Sequence, residues 1–140
     1  MAEKLNSFSA QDALVAVMVA SSMSDEVIRT TELLMIENLI NHSPIFAEYD
    51  INNVRSIFNA VQELIKVDNG LDEFFDLVKK ALPEKLNETA YVMACDVTAA
   101  DGKLEQSELR FLEELSFRLS IDHLHVAAIE WAVRVRYMKV

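Results

Sequence analysis

Four carboxylates stand at spacings that could serve a metal ion. Asp25 and Glu32 lie seven positions apart, and Asp101 and Glu108 repeat that spacing 76 positions later. The neighbours repeat with them. The stretch Asp25-Glu26-Val27-Ile28-Arg29-Thr30-Thr31-Glu32-Leu33 aligns with Asp101-Gly102-Lys103-Leu104-Glu105-Gln106-Ser107-Glu108-Leu109. Further on, Ile36 meets Leu112, Glu37 meets Glu113 and Leu39 meets Leu115. On an unbroken helix, seven residues would separate the two carboxylates by about 10 Å along the axis. The oxygens around a calcium ion sit only about 2.3–2.6 Å from it. The chain must therefore turn between each Asp and its Glu, and in the second copy Gly102 tolerates the positive φ that a tight turn demands.

The order Asp-Gly-x-apolar-x-x-x-Glu matches the later half of an EF-hand loop. On that frame Asp101 is fifth, Gly102 sixth, Leu104 eighth and Glu108 twelfth, and Asp25, Ile28 and Glu32 align in the first copy. The earlier half fails, because its first and third positions fall on Val97 and Ala99, or on Ser21 and Met23. One loop alone offers too few oxygens for tight calcium binding. Two loops related by a pseudo-twofold axis would offer Asp25, Glu26, Glu32, Asp96, Asp101, Glu105 and Glu108. Clustered carboxylates repel, and a divalent cation relieves the repulsion. The plainer reading is that Asp25 and Asp101 cap helices while Glu32 and Glu108 bond back to free N–H groups.

These residues must be positioned by helices. Only two Gly and two Pro in 140 residues disfavour a turn-rich β fold. The expected fold is all-α: about seven helices in a compact bundle, with two duplicated helix–acidic loop–helix units. Residues 1–8 read as a loose arm and 9–140 as a single domain. Ser9 can cap a first helix, apolar almost all round and hence central, that Ser21 to Ser24 break. A second helix turns Leu33, Leu34, Ile36, Leu39 and Ile40 inward and stops before Pro44. Asp50 can cap the third, with Ile57, Val61 and Leu64 on its face, and Asn69-Gly70 closes it. The fourth carries Phe74 and Phe75. The fifth starts near Pro83 and carries Ala90, Met93, Ala94 and Val97. The sixth holds Leu109, Leu112, Leu115 and Leu119. Asp122 can cap the seventh, with Val126, Ile129, Trp131, Val133 and Val135 expected in the core.

Composition narrows the functions. Net charge is −10 and pI near 4.7. That field repels phosphate backbones and anionic lipid surfaces, so nucleic acid is not an expected partner. Divalent cations and basic proteins remain. A single cysteine, Cys95, excludes an internal disulfide and reads as a small core residue. No stretch reaches the roughly 18 apolar residues of a membrane span, and no signal-peptide pattern opens the chain. The expected location is the cytoplasm, without membrane insertion.

The run Val92-Met93-Ala94-Cys95-Asp96-Val97-Thr98-Ala99-Ala100-Asp101-Gly102-Lys103-Leu104-Glu105-Gln106-Ser107-Glu108, with its weaker echo from Ala16 to Glu32, resembles the tellurite-resistance TerB-like family. The resemblance covers roughly residues 10–137. It implies an all-helical domain with a proposed metal-binding surface and a place in bacterial stress response. Carried over by residue, it points to Asp25, Glu32, Asp101 and Glu108. Glu26 departs from the usual Gly after the first Asp. Related domains occur fused to co-chaperone modules and within membrane-associated assemblies, which implies protein partners of that kind. Tellurite itself is an oxyanion, which an acidic chain should not attract.

No Ser-His-Asp order, phosphate-cradling loop or zinc spacing is present, so no enzyme is expected. His123 and His125, two apart, do not share a helix face. Two functions stand: a regulatory domain that binds calcium or another divalent cation through both loops, or an acidic helical interaction module that needs no metal. Homodimerisation through an apolar patch stays open.

Overall fold

The computed structural model describes residues 8–23, 28–100, 102 and 105–140. Seven α-helices occur among them, and no strand. They are α1 (Ala10–Ser22), α2 (Thr30–His42), α3 (Asn53–Lys66), α4 (Gly70–Ala81), α5 (Asn87–Ala99), α6 (Gln106–Arg118) and α7 (His123–Arg136). Short 3-10 turns sit at Pro44–Phe46 and Glu84–Leu86. The arm expected over residues 1–8 lies outside the described residues, except for Phe8.

Two helices have no solvent face. All of residues 13–22 of α1 are buried, as are Ala90, Tyr91 and residues 93–98 of α5. A helix apolar all round has to be surrounded, and these two pack most extensively against each other. The other helices wrap this pair. Helices α2 and α6 each touch both central helices, α3 lies on α1 and α4, and α7 lies on α5. Phe74, Phe75 and Phe111 stack at one side of the core, with centroids 5.4–6.4 Å apart. The Arg118 guanidinium covers Phe75 and pairs with Asp72 and Glu114.

Helix starts follow local chemistry. Ser9 Oγ accepts from the Asp12 N–H at 3.0 Å, and Asp12 Oδ2 accepts from the Ser9 N–H at 3.1 Å, a full capping box. Asp122 Oδ1 accepts from the Leu124 N–H at 2.8 Å. Asp50 caps a turn rather than the helix. Its Oδ1 accepts from the Asn52 N–H at 2.9 Å, and α3 begins only at Asn53. At the other end of α1, the Ser21 and Ser22 hydroxyls donate to the Met18 carbonyl, and the helix ends at Ser22, within the expected break.

Three further expectations are corrected. Asn69-Gly70 does not close α3. Asn69 takes φ 61° and Gly70 opens α4, so the pair forms the corner between two helices. Of the five residues expected inward on α2, Ile36 and Ile40 are buried and Leu39 half-buried, but Leu33 and Leu34 are exposed. In α7 only Val133 is buried, while Trp131 and Val135 face solvent at 65% and 54% exposure. The reason is that α7 packs chiefly on α5, so one narrow stripe is covered.

The α3–α4 corner has a measurable consequence. A Cβ at Gly70 would lie 1.8 Å from the Leu64 carbonyl oxygen. In a helix Gly→Ala ordinarily stabilises by about 0.5–1 kcal/mol. Here the clash is with backbone, which cannot move aside. Gly70→Ala should therefore destabilise the protein by about 1–3 kcal/mol, read as a lower urea midpoint at unchanged slope.

Candidate cation site at the acidic loops

Helices α2 and α6 begin in the same way. Their N-caps, Arg29 and Glu105, are both extended, at φ/ψ −86°/152° and −76°/154°. Three residues on, Glu32 and Glu108 are each 1% exposed. The Arg29 N–H donates to Glu32 Oε1 at 3.3 Å, and the Glu105 N–H donates to Glu108 Oε1 at 3.0 Å. Each glutamate thus occupies a first-turn N–H that the helix cannot satisfy, and its charge lies at the positive end of the helix dipole. The back-bonding expected of these two residues is present.

The two starts also meet. Arg29 Nη2 lies 2.9 Å from Glu105 Oε1. These residues are 76 apart, at equivalent places in the two acidic stretches. Other contacts recur at or near the same offset: both members of the Tyr49–Asp12 pair are 76 from those of His125–Glu88, whereas Gln11 and Asn87 are 76 apart but their acceptors 74. Gln11 donates to the Ile45 carbonyl at 2.9 Å and Asn87 to the Leu119 carbonyl at 3.1 Å. Tyr49 donates to Asp12 at 2.8 Å, and His125 Nδ1 lies 2.9 Å from Glu88.

Asp25, Glu26 and Asp101 lie outside the described residues, so of the four proposed ligands only Glu32 and Glu108 are placed. Gly102 takes φ 76°, the turn geometry expected of it. The Lys139 ammonium lies beside it, 3.1 Å from where a Cβ would stand. Among the described residues no three His, Cys, Asp or Glu side chains gather as a metal site.

Asp96 has a different employment from the one expected. It is 4% exposed and accepts from Arg136 Nη1 at 3.1 Å and the Tyr137 hydroxyl at 3.3 Å. It ties the end of α7 to α5. Burial raises its pKa above the usual carboxylate value, partly offset by the Arg136 charge and the bonds from Tyr137 and Arg136. Burial likewise pushes the Cys95 thiol up to about 12, which suits an inert core residue. His123 and His125 occupy the first turn of α7, and His42 is exposed.

Arg29 is the site residue that the sequence reading passed over. Its signal was an opposite charge, Glu105, at the equivalent position of the second stretch.

A family model described as Tellurite resistance protein TerB matches residues 11–130. The chain belongs to the TerB family. It is a tellurite-resistance-type domain, and its all-helical architecture is the one the TerB resemblance implied. No curated protein and no solved structure matches it. No helix among the described residues of this TerB domain is long and apolar enough to cross a membrane.

Two outcomes follow from the site. Replacing Glu32 or Glu108 by Ala removes a cap and should cost about 0.5–2 kcal/mol, whereas Gln retains an acceptor and should cost less. Urea unfolding of the four variants measures the difference. The second concerns pH. Because Asp96 has a raised pKa when folded, the folded state holds a proton that the unfolded chain has already lost. Stability should fall as pH rises through the window between the ordinary carboxylate value and the raised one, then level off. Asp96→Asn should flatten the stability profile in that window.

Proposed function

We propose that this TerB domain is a non-enzymatic, cation-responsive regulatory unit of a tellurite-resistance-type stress response. Asp25, Glu32, Asp101 and Glu108 supply oxygens to one divalent cation, with calcium the natural probe for an all-oxygen donor set. The observation that carries this reading is the 2.9 Å contact between Arg29 and Glu105. It joins the two acidic stretches at the helix starts whose third residues are buried glutamates. The repeated spacing reads as an internal duplication, with each copy giving half of the ligands. An ion there would neutralise carboxylate repulsion that Arg29 now offsets with a single charge. It would also compete with Arg29 for Glu105, which couples ion binding to the contact between the loops. The partners are proteins, in a membrane-associated assembly of the kind known for related domains, and the compartment is the cytoplasm. Tellurite capture is disfavoured by the charge of −10.

A second reading is a metal-free acidic module for a basic partner, in which Glu32 and Glu108 are caps only. The capping bonds and the net charge favour it.

Calcium added to the isotopically labelled full chain should shift the amides of Glu32 and Glu108. At a hundred times its Kd it should stabilise the fold by about 2.7 kcal/mol. Asp25→Asn with Asp101→Asn should abolish both effects. No calorimetric heat and no shift at millimolar calcium would overturn the cation reading. Partner loss on charge reversal at Asp25 and Asp101, without added metal, would support the second.

A further inference from the structure

The surface between α5, α6 and α7 is an open groove of about 1110 Å³. Its origin is visible in how α7 is held. Three polar ties to α5 run along its length: His125 to Glu88, Glu130 to Tyr91, and Arg136 with Tyr137 to Asp96, the Tyr137 hydroxyl also reaching the Met35 sulfur on α2. Almost nothing joins α7 to α6. The first half of the chain differs. There a ten-residue connection from α2 to α3 carries Phe46 into the core, and α3 also has α4 alongside. The connection from α6 to α7 has only four residues.

The groove is large enough for a small molecule and mainly apolar, with Leu109, Leu112, Ile121, Val126 and Val133 along it. Its polar groups are not evenly spread. Glu113 and Glu130 stand midway along the two walls and are exposed, and Glu130 already accepts from the Tyr91 hydroxyl at 2.9 Å. At the end near Gly102 are Arg134 and Lys139. Neither has a carboxylate partner among the described residues; Arg134 lies over the Trp131 ring at 5.8 Å. Two cations with no counter-ion among the described residues, at the mouth of an apolar groove, complement one shape of ligand: a tail with an anionic end.

We propose that this groove binds a free single-chain anionic amphiphile of the fatty-acid type. The tail lies along Leu112, Ile121 and Val126, and the anionic head meets Arg134 and Lys139. The site is separate from the cation site and does not depend on it.

Dodecanoate, kept below its micelle concentration, is titrated into the full chain and followed by amide shifts. Dodecanol, dodecyltrimethylammonium and anionic phospholipid vesicles are run in parallel. Expected are shifts at Leu109, Leu112 and Val126, with dodecanoate at least ten-fold tighter than either other surfactant. The Arg134→Glu, Lys139→Glu double variant, which changes only surface residues, should lose that preference but retain dodecanol. Val126→Trp, checked for folding by circular dichroism, should weaken both. The proposal is overturned if the groove amides do not move, or if shifts fall on the outer residues Leu124 and Trp131. It is also overturned if the charge variant leaves dodecanoate unaffected, or if only vesicles bind.

Discussion

Two carboxylates kept out of water at the starts of α2 and α6 are the constraint around which the domain is arranged. A buried charge is costly unless it is paired or hydrogen-bonded, and a buried helix start leaves N–H groups that must find acceptors. Glu32 and Glu108 meet both demands at once, each with Oε1 on the backbone N–H of its own N-cap. The arrangement works only if the chain enters both helices extended, as Arg29 and Glu105 do. That entry in turn places these two N-caps where their side chains can touch. The contact between them is half exposed and worth only about 0.2–1 kcal/mol by itself. Its importance is geometric: it fixes where two acidic stretches, far apart in sequence, stand relative to each other.

The central helices make this seam possible. Because α1 and α5 bury nearly every residue, neither can present a polar face, and each must finish its polar business at its ends. Ser22 and Thr98 show the same economy. Both are buried, and both turn their hydroxyls back onto a carbonyl of their own helix. The acidic stretches emerge directly after these residues, so charge begins where the core ends. A cap and an ion ligand are not exclusive roles for Glu32 and Glu108. A carboxylate whose one oxygen is held by backbone is also a carboxylate whose orientation is already set, which lowers the ordering cost of any further ligation.

Much of this was legible in the sequence, for identifiable reasons. Helices with strong local signals were placed well. Ser9 with Asp12, and Asp122, declare their helix starts through short-range bonds that depend on nothing distant. The all-round apolarity of α1 required burial wherever it lay. What failed depended on partners. The composition of α7 resembles that of a core helix, and sequence cannot say that chiefly α5 would cover it, so Trp131 was misplaced. Leu33 and Leu34 failed likewise, since five apolar residues on α2 exceed what one packing stripe can hold. The Asn69-Gly70 corner carries the residues of a helix stop, yet its glycine is demanded by the Leu64 carbonyl across the turn. At the starts of α2 and α6, the back-bonding of Glu32 and Glu108 was legible from spacing. Arg29 was missed because its partner lies in the other half of the chain.

The uneven treatment of the two halves is the last physical step. Contacts at Gln11, Asp12 and Arg29 have counterparts at Asn87, Glu88 and Glu105, so the framework is carried across. The outer helices do not follow it. The long connection ahead of α3 adds Phe46 to the core, and α4 adds Phe74 and Phe75. On the other side the short connection ahead of α7 adds Leu119 and Ile121 to the core, but no further helix stands beside α7 as α4 stands beside α3, and polar ties to α5 take the place of a packed second face. Polar ties fix position without filling volume. A helix held in that way can stand clear of its neighbour α6 with no dense packing forcing closure, whereas an apolar contact would have drawn the walls together. The groove is thus a consequence of how α7 is attached.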